Sequence, residues 1–243
     1  HPLTKDNNNV ITGWKNSFNK SVSILILSKT WSDFFKRKYD LESIKETRNN
    51  AVKKVGLYSY FNDGGFRNDG SFSYGNKIKK IISSDTLERH QDFRDIYSRI
   101  ENGIARFEYG DRISKRSLME LDSLLRFCSE ANIYVIAFIP PFATSINNLL
   151  KSSNRYSYLD SIYSESIDFF RKYRFELWDL SRLEDFGSND QEMVDAIHGG
   201  EVTYSKMLFY MLRNGSEMGQ YTDTNRLKES MDKRLNDYII YPY

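Results

Sequence analysis

The feature that most constrains the fold is an unbroken apolar run, Ile133–Ile139, which ends in Pro140-Pro141. Side chains that are apolar at every position, without alternation, are typical of a parallel strand that is covered on both faces. The run is also far shorter than the ~20 apolar residues that cross a bilayer. It therefore predicts a central parallel strand, and nothing in the chain predicts a membrane-spanning segment.

Amphipathic helices alternate with strands around this run. The apolar spacing predicts a helix that Ser114 caps, with the stripe Leu118, Leu121, Leu124, Leu125 and Cys128. The strand 133–139 follows it. The pattern then predicts, in order, a helix at 157–172, a strand at 175–180, a helix at 201–213 and a helical tail at 214–243. This order indicates an α/β fold, a three-layer α/β/α domain with a parallel sheet of the flavodoxin-like kind. Two strands alone do not make a stable sheet of that kind. We therefore expect further N-terminal strands, which precede His1.

The first third of the chain gives weaker signals. Helical spacing predicts one or two helices over 21–50, although the run Ile24–Leu27 could also be a strand. Paired glycines and Asp-Gly steps over 51–75 predict a turn-rich hairpin. Residues 76–105 are predicted to be helical, with the buried stripe Ile78, Ile81, Leu87, Phe93, Ile96 and Ile100. No linker divides the chain, so we predict a single domain over 1–243.

Charge and cysteine content exclude several function classes. Thirty-five Lys and Arg against 33 Asp and Glu leave a net charge of +2, which gives no basic field for nucleic acid. Three histidines and one cysteine, Cys128, give no zinc spacing, and Cys128 is predicted to be an inert thiol on an apolar helix face. Neither composition nor spacing sets the oligomeric state or the cellular compartment. The possibility of an anchor upstream of His1 also stays open.

The segment Asp195-Ala196-Ile197-His198 is the strongest candidate for chemistry. It follows the last predicted strand, the region of an open α/β sheet in which sites are built. An aspartate three residues before a histidine can orient the imidazole, which can then take a proton from a hydroxyl nucleophile. The alternative is a helix-capping aspartate beside a surface histidine. His90, on a charged helix face, is predicted to be solvated.

The order of strand, helix, strand and Asp-x-x-His resembles the C-terminal half of the SGNH (GDSL-type) hydrolase superfamily. The stretches Phe66–Ser71 and His198–Tyr204 resemble its bacterial branch that transfers or removes acyl groups on cell-surface polysaccharides. The resemblance implies a Ser-His-Asp esterase or O-acyltransferase with Asp195 and His198 as catalytic residues, a carbohydrate or acyl-ester substrate and no metal or organic cofactor. It also implies an extracytoplasmic location. Arg67, beside turn glycines, could bind an anionic sugar or phosphate.

The chain departs from that family at the nucleophile. It contains no Gly-Asp-Ser, and Gly187-Ser188-Asn189-Asp190 lies so close to Asp195 that we interpret it as a surface turn. Ser71 is likewise interpreted as a turn residue. The enzyme hypothesis therefore places the serine upstream of this chain. The alternative hypothesis is a non-catalytic SGNH-like module that binds glycan or protein, and neither the acyl group nor its acceptor is set by the sequence.

Overall fold

The computed structural model describes residues 31–32, 35–36, 64–66, 72–83 and 87–240. By their internal contacts the residues group into two compact units, Pro2–Asp85 and Thr86–Tyr243. Most of the helices predicted over 21–50 lie outside the described residues, as do Arg67 and Ser71. Within the described ranges, no helix combines the length and apolar character that crossing a bilayer requires.

The first unit contains the hairpin predicted within 51–75. Strand β1, Gly65–Phe66, pairs antiparallel with β2, Phe72–Ser73, and helix α1, Asn76–Ser83, follows. The rings of Phe66 and Phe72 meet edge to face with their centroids 5.2 Å apart. Gly65 has a φ of 115°, a backbone conformation that L-residues with a side chain rarely adopt.

The second unit carries the elements that position the candidate site. Its helices and strands are α2 (Leu87–Asn102), α3 (Lys115–Glu130), β3 (Ile136–Ile139), α4 (Thr144–Ser152), α5 (Tyr158–Tyr173), β4 (Glu176–Asp179), α6 (Glu201–Arg213) and α7 (Thr224–Asp232). Short 3-10 helices occupy Leu183–Phe186, Asp190–Glu192 and Glu217–Gln220. Helices α1 and α2 both lie within the segment 76–105 that the sequence predicts to be helical.

Strands β3 and β4 lie side by side and run parallel, as the sequence predicts. Ile136 is opposite Glu176 and Ile139 is opposite Asp179. Each strand is shorter than its predicted run, because 133–135, 175 and 180 lie outside the ladder. Helix and strand are therefore mixed in one α/β arrangement, and the parallel sheet has two strands among the residues described.

The main core packs helices against the segments that follow the strands. Its buried members come from α2, α4, α6 and the segments between the elements; they include Ile96, Ile100, Ala143, Ile146, Leu150, Leu180, Met193, Ala196 and Met207. A smaller cluster joins Val202 of α6 to Leu227 and Met231 of α7. The sequence predicts an amphipathic helix in the tail from Leu227, Met231 and Leu235 at four-residue intervals. Leu227 and Met231 are buried as predicted, whereas Leu235 follows the end of α7 and is 60% exposed.

Several apolar side chains are more exposed than the sequence predicts, among them Ile133 and Tyr134 of the apolar run. Leu124, placed by its spacing in the buried stripe of α3, is 57% exposed, whereas its neighbour Leu125 is 1% exposed. Phe138, in the middle of β3, is 44% exposed. In the described part of the chain β3 pairs with β4 alone, so the prediction of a central strand covered on both faces is not met there.

Helix α4 is an element that the apolar spacing does not predict. Its sequence is rich in serine, threonine and asparagine, which are weak helix formers. The carboxylate of Asp190 accepts hydrogen bonds from the backbone N–H groups of Thr144 and Ser145, the first residues of the helix. A carboxylate at this end satisfies otherwise unpaired donors and the helix dipole. The cap comes from a residue that is distant in the sequence, so local patterns do not reveal it.

Tyr156 joins α2 to the start of α5. Its side chain is 3% exposed, and its hydroxyl donates to the carbonyl oxygens of Ile100, at 2.7 Å, and Phe107, at 2.9 Å. Burial raises the pKa of Tyr156 to about 12. The sequence predicts a half-buried tyrosine here, whereas the structure buries it as a cross-link between two carbonyls.

Candidate functional site

Asp195 and His198 lie in a tight loop between the 3-10 helix Asp190–Glu192 and α6. Within the loop, Met193 and Gly199 form an antiparallel bridge, and the N–H of Val194 donates to the carbonyl of His198 at 2.8 Å. Met193, Val194 and Ala196 are buried. These apolar residues hold the loop against the core, which leaves the polar residues between them at the surface.

The loop lies beside the segment that leaves the carboxyl end of β3. The N–H of Ala143 donates to the carbonyl of Ala196 at 3.0 Å, and both alanines are fully buried. Open α/β sheets bind their ligands beyond the carboxyl ends of strands, where the connecting segments meet. The pair is therefore located where the sequence places it relative to β3.

The two side chains converge. The Nδ1 atom of His198 lies 2.9 Å from Oδ1 and 3.0 Å from Oδ2 of Asp195. The Asp195 side chain is 14% exposed and the His198 side chain 47% exposed. The histidine is thus not a core residue, and the distances meet the hydrogen-bond criterion expected for an oriented base.

The contact sets the tautomer of the imidazole. An ionised carboxylate can only accept hydrogen bonds, so Nδ1 of His198 must carry the hydrogen. In the neutral ring the lone pair then lies on Nε2, which is the nitrogen that can take a proton from a hydroxyl group. Oδ1 of Asp195 also accepts the backbone N–H groups of Ile197, at 3.0 Å, and His198, at 2.9 Å. One carboxylate oxygen therefore orients both the loop and the ring.

Asp195 is not the helix cap that the alternative interpretation suggested. Helix α6 begins at Glu201, and its N-cap is Gly200. The hydrogen bonds from Ile197 and His198 instead form a turn that Asp195 closes on itself. Such turns are common for aspartate, so these backbone bonds are made whether or not His198 acts as a base.

The backbone carbonyl of Glu192, which precedes the loop, links it to helix α6. That oxygen accepts the N–H of Gly200 at 2.9 Å and the hydroxyl of Thr203, which is fully buried, also at 2.9 Å. A Cβ on Gly199 would lie 2.6 Å from the Cβ of Thr203, closer than real atoms approach. Gly199 therefore lets the loop lie directly on α6, and Gly200 allows the close approach of the Tyr238 backbone, 2.9 Å from where its Cβ would lie.

A buried ion pair closes the base of the loop. Glu192 is 3% exposed, and its carboxylate accepts Lys206 Nζ at 2.6 Å on Oε1 and the Ser188 hydroxyl at 2.7 Å on Oε2. Lys206 also donates to the carbonyl of Gly187 at 2.7 Å. The carboxylate of Glu192 is therefore both paired and hydrogen-bonded, the condition under which a buried charge is tolerated.

This network corrects the interpretation of Gly187-Ser188-Asn189-Asp190 as a surface turn. Ser188 is 5% exposed and belongs to the ion-pair network, while Asp190 caps α4. Gly187 does adopt the left-handed conformation of a turn, with a φ of 74°. The segment is thus a turn in which Ser188 is buried and Asp190 binds the start of α4, while Asn189 is exposed.

Tyr204 lies near the Asp195–His198 pair. The sequence pattern does not assign this tyrosine a role of its own. Burial and the negative charge of Asp195 raise its pKa, against a backbone hydrogen bond from Gly199 that lowers it. Its position in the first turn of α6, soon after Asp-x-x-His, is the only local signal for it. Glu192 and Lys206 carry no such signal, since each is an ordinary charged residue in the sequence.

Of the other residues that the sequence singles out, two are not described at the level of their side chains. Arg67 lies outside the described residues, and His90 is in α2, where the structure describes the backbone but not that side chain. Cys128 is half-buried in α3 rather than fully buried. Among the residues described, no three His, Cys, Asp or Glu side chains group so that they could hold a metal ion.

The chain matches no protein-family model, no curated protein and no solved structure. None of these comparisons supports the resemblance to SGNH hydrolases that the sequence suggests.

Proposed function

We propose that this protein is an SGNH-like esterase or O-acyltransferase that acts on acyl esters of a carbohydrate. The observation that carries the proposal is the contact between the carboxylate of Asp195 and Nδ1 of the half-exposed His198. That contact provides an oriented base beyond the carboxyl end of a parallel strand. The carbohydrate part of the proposal is supported by the resemblance of the sequence only.

In the proposed mechanism, Nε2 of His198 takes the proton of a serine hydroxyl while the serine oxygen attacks the ester carbonyl. The imidazolium that forms is stabilised by Asp195. It then returns the proton to the leaving alcohol as the tetrahedral intermediate collapses to an acyl-serine. Water or a sugar hydroxyl attacks the acyl-serine by the same steps, which regenerates the serine. We place this serine outside the residues that the structure describes.

We also propose that β3 and β4 belong to a larger parallel sheet in a three-layer α/β/α domain. The exposed faces of Leu124 and Phe138, and the pairing of β3 with β4 alone among the described residues, support a further strand beside β3. Such a strand would bring its carboxyl end towards the loop of His198, because parallel strands share that edge.

The test is ester hydrolysis by the full-length protein. Aryl acetates and an acetylated polysaccharide serve as substrates, and His198→Ala should lower kcat by about 10²–10⁴-fold, the usual contribution of a general base. Asp195→Asn should lower it less, because the ring stays in place without its ionised partner. His90→Ala is the matched control and should leave kcat unchanged.

Melting temperatures within experimental error for all three variants would assign the loss to chemistry. Full activity in both His198→Ala and Asp195→Asn, on every ester that the parent protein cleaves, would place the catalytic site elsewhere.

A non-catalytic binding module is the second candidate, and one observation favours it. The hydrogen bonds of Ile197 and His198 to Asp195 give that aspartate a structural role that needs no reaction. A module of this kind should hydrolyse no ester. It should keep its glycan or protein ligand when His198 is replaced by alanine.

A further inference from the structure

A pocket of about 340 Å³ opens beyond the carboxyl ends of both strands of the parallel pair. Ile139, the last residue of β3, and Asp179, the last residue of β4, both line it. The volume lies within the range of small-molecule sites, roughly 300–1,000 Å³. Neither Asp195 nor His198 lines the pocket, so the pocket is formed by residues other than that pair.

Most of the pocket lining is apolar. Ile139, Phe142, Leu159 and Ile162 contribute to it, and Tyr163 adds an aromatic ring with a hydroxyl. Phe142 directly precedes Ala143, whose N–H bonds to Ala196 in the loop of His198. The pocket and the Asp195–His198 pair therefore adjoin the same short segment after β3.

The polar groups of the pocket balance in charge. Lys151 and Arg182 supply two cations, and Asp160 and Asp179 supply two carboxylates. Their pairings are long: Lys151 Nζ lies 4.0 Å from Asp160, and Arg182 Nε lies 3.8 Å from Asp185 outside the pocket. A pocket with donors, acceptors and no net charge disfavours strongly ionic ligands.

The composition of the pocket points to a ligand with an apolar face and an edge rich in both donors and acceptors. A pyranose ring has this character: its axial C–H groups form an apolar face, and its hydroxyls both donate and accept. Asn147 adds an amide that can also do both.

We propose that this pocket binds a neutral sugar ring. The proposal deepens the proposed function, on which it rests for its role in catalysis: the ring would be the carbohydrate part of the ester. Binding itself does not depend on the reaction.

The experiment is saturation-transfer NMR on the full-length protein. The probes are methyl glucoside, methyl galactoside and N-acetylglucosamine, with glucose 6-phosphate, galacturonate and glucosamine as their respective charged counterparts. At least one neutral sugar should give a saturable signal, and its charged counterpart should bind more weakly.

Tyr163→Ala should weaken that binding by roughly tenfold, the equivalent of about 1.4 kcal/mol. Tyr221→Ala is the matched control, because Tyr221 is 88% exposed and does not line the pocket. Arg182→Gln, at an exposed position, provides a second variant that leaves the core untouched and should also weaken binding.

Three results would overturn the proposal. They are no saturable signal from any neutral sugar, tighter binding of the charged counterparts, and unchanged affinity in both Tyr163→Ala and Arg182→Gln. His198→Ala separates this proposal from the proposed function. Sugar binding by a parent protein that itself cleaves no ester refutes the enzyme but keeps the pocket, whereas sugar binding retained in His198→Ala together with lost cleavage supports both. Ester cleavage without sugar binding refutes the pocket but keeps the enzyme.

Discussion

Two lysine–carboxylate contacts in this protein have the same length and opposite surroundings. Lys206 Nζ lies 2.6 Å from Glu192 Oε1, and Lys228 Nζ lies 2.6 Å from Asp232 Oδ2. The first pair of side chains is 20% and 3% exposed, and the second pair is 57% and 63% exposed. Because burial removes the water that would solvate an unpaired charge, the same substitution should have different costs in the two places.

Lys206→Met keeps most of the aliphatic stem and removes the ammonium group. It leaves the carboxylate of Glu192 buried, with only the Ser188 hydroxyl of its two side-chain donors. Breaking a buried ion pair by removing one partner costs about 3–5 kcal/mol. Water can reach the partly exposed position of Lys206, so we expect the lower end, about 3 kcal/mol. Lys228→Met should cost under about 1 kcal/mol, as exposed pairs do.

Thermal unfolding followed by far-ultraviolet circular dichroism measures the difference. At about 2–4 °C per kcal/mol for a chain of this size, Lys206→Met should lower the Tm by roughly 6–12 °C. Lys228→Met should lower it by less than about 4 °C. Adding Glu192→Gln to Lys206→Met should recover part of the loss, since no unpaired charge then remains buried.

Equal losses of Tm in Lys206→Met and Lys228→Met would refute the reasoning, because the free energy would then not depend on burial. A double variant as unstable as Lys206→Met would refute it in another way. The loss would then come from the bond to the Gly187 carbonyl or from packing of the stem, and not from the unpaired carboxylate.

Two further predictions concern the pH dependence of stability. Tyr156→Phe should cost about 1–3 kcal/mol, because two buried carbonyls lose their donor. Since the pKa of Tyr156 is raised to about 12 in the folded state, its contribution is full below about pH 10 and falls as pH rises towards 12. Urea unfolding of both proteins between pH 9 and 11 should show the difference shrinking; a constant difference contradicts it. Burial would raise the pKa of Glu176, but hydrogen bonds from the Glu217 N–H and the Trp178 indole, among others, outweigh it and lower the pKa. The stability that Glu176 adds over Glu176→Gln should therefore be full above about pH 4.3 and fall in more acid solution, and urea unfolding that shows no such fall contradicts this.

Local sequence determines much of the second unit. The runs at Ile136–Ile139 and Glu176–Asp179 are adjacent parallel strands as predicted, and α5 and α6 occupy the predicted positions almost residue for residue. These features depend on periodicity and chain direction, which a sequence displays directly. The prediction that Leu124 is buried was wrong, because periodicity assigns a residue to a helix face but does not say what covers that face.

The candidate site divides in the same way. Asp195 and His198 are three residues apart, so a single tight turn brings a carboxylate to an imidazole, and the sequence by itself determines that contact. Tertiary structure alone decides what surrounds it, because the partners are far apart in the chain. Lys206 reaches Glu192 from another element, Asp190 caps α4 from beyond β4, and residues of α4 and α5 meet the ends of both strands to form the pocket. Such contacts depend on how helices pack against the sheet, and packing is a property of the whole unit that no local pattern records.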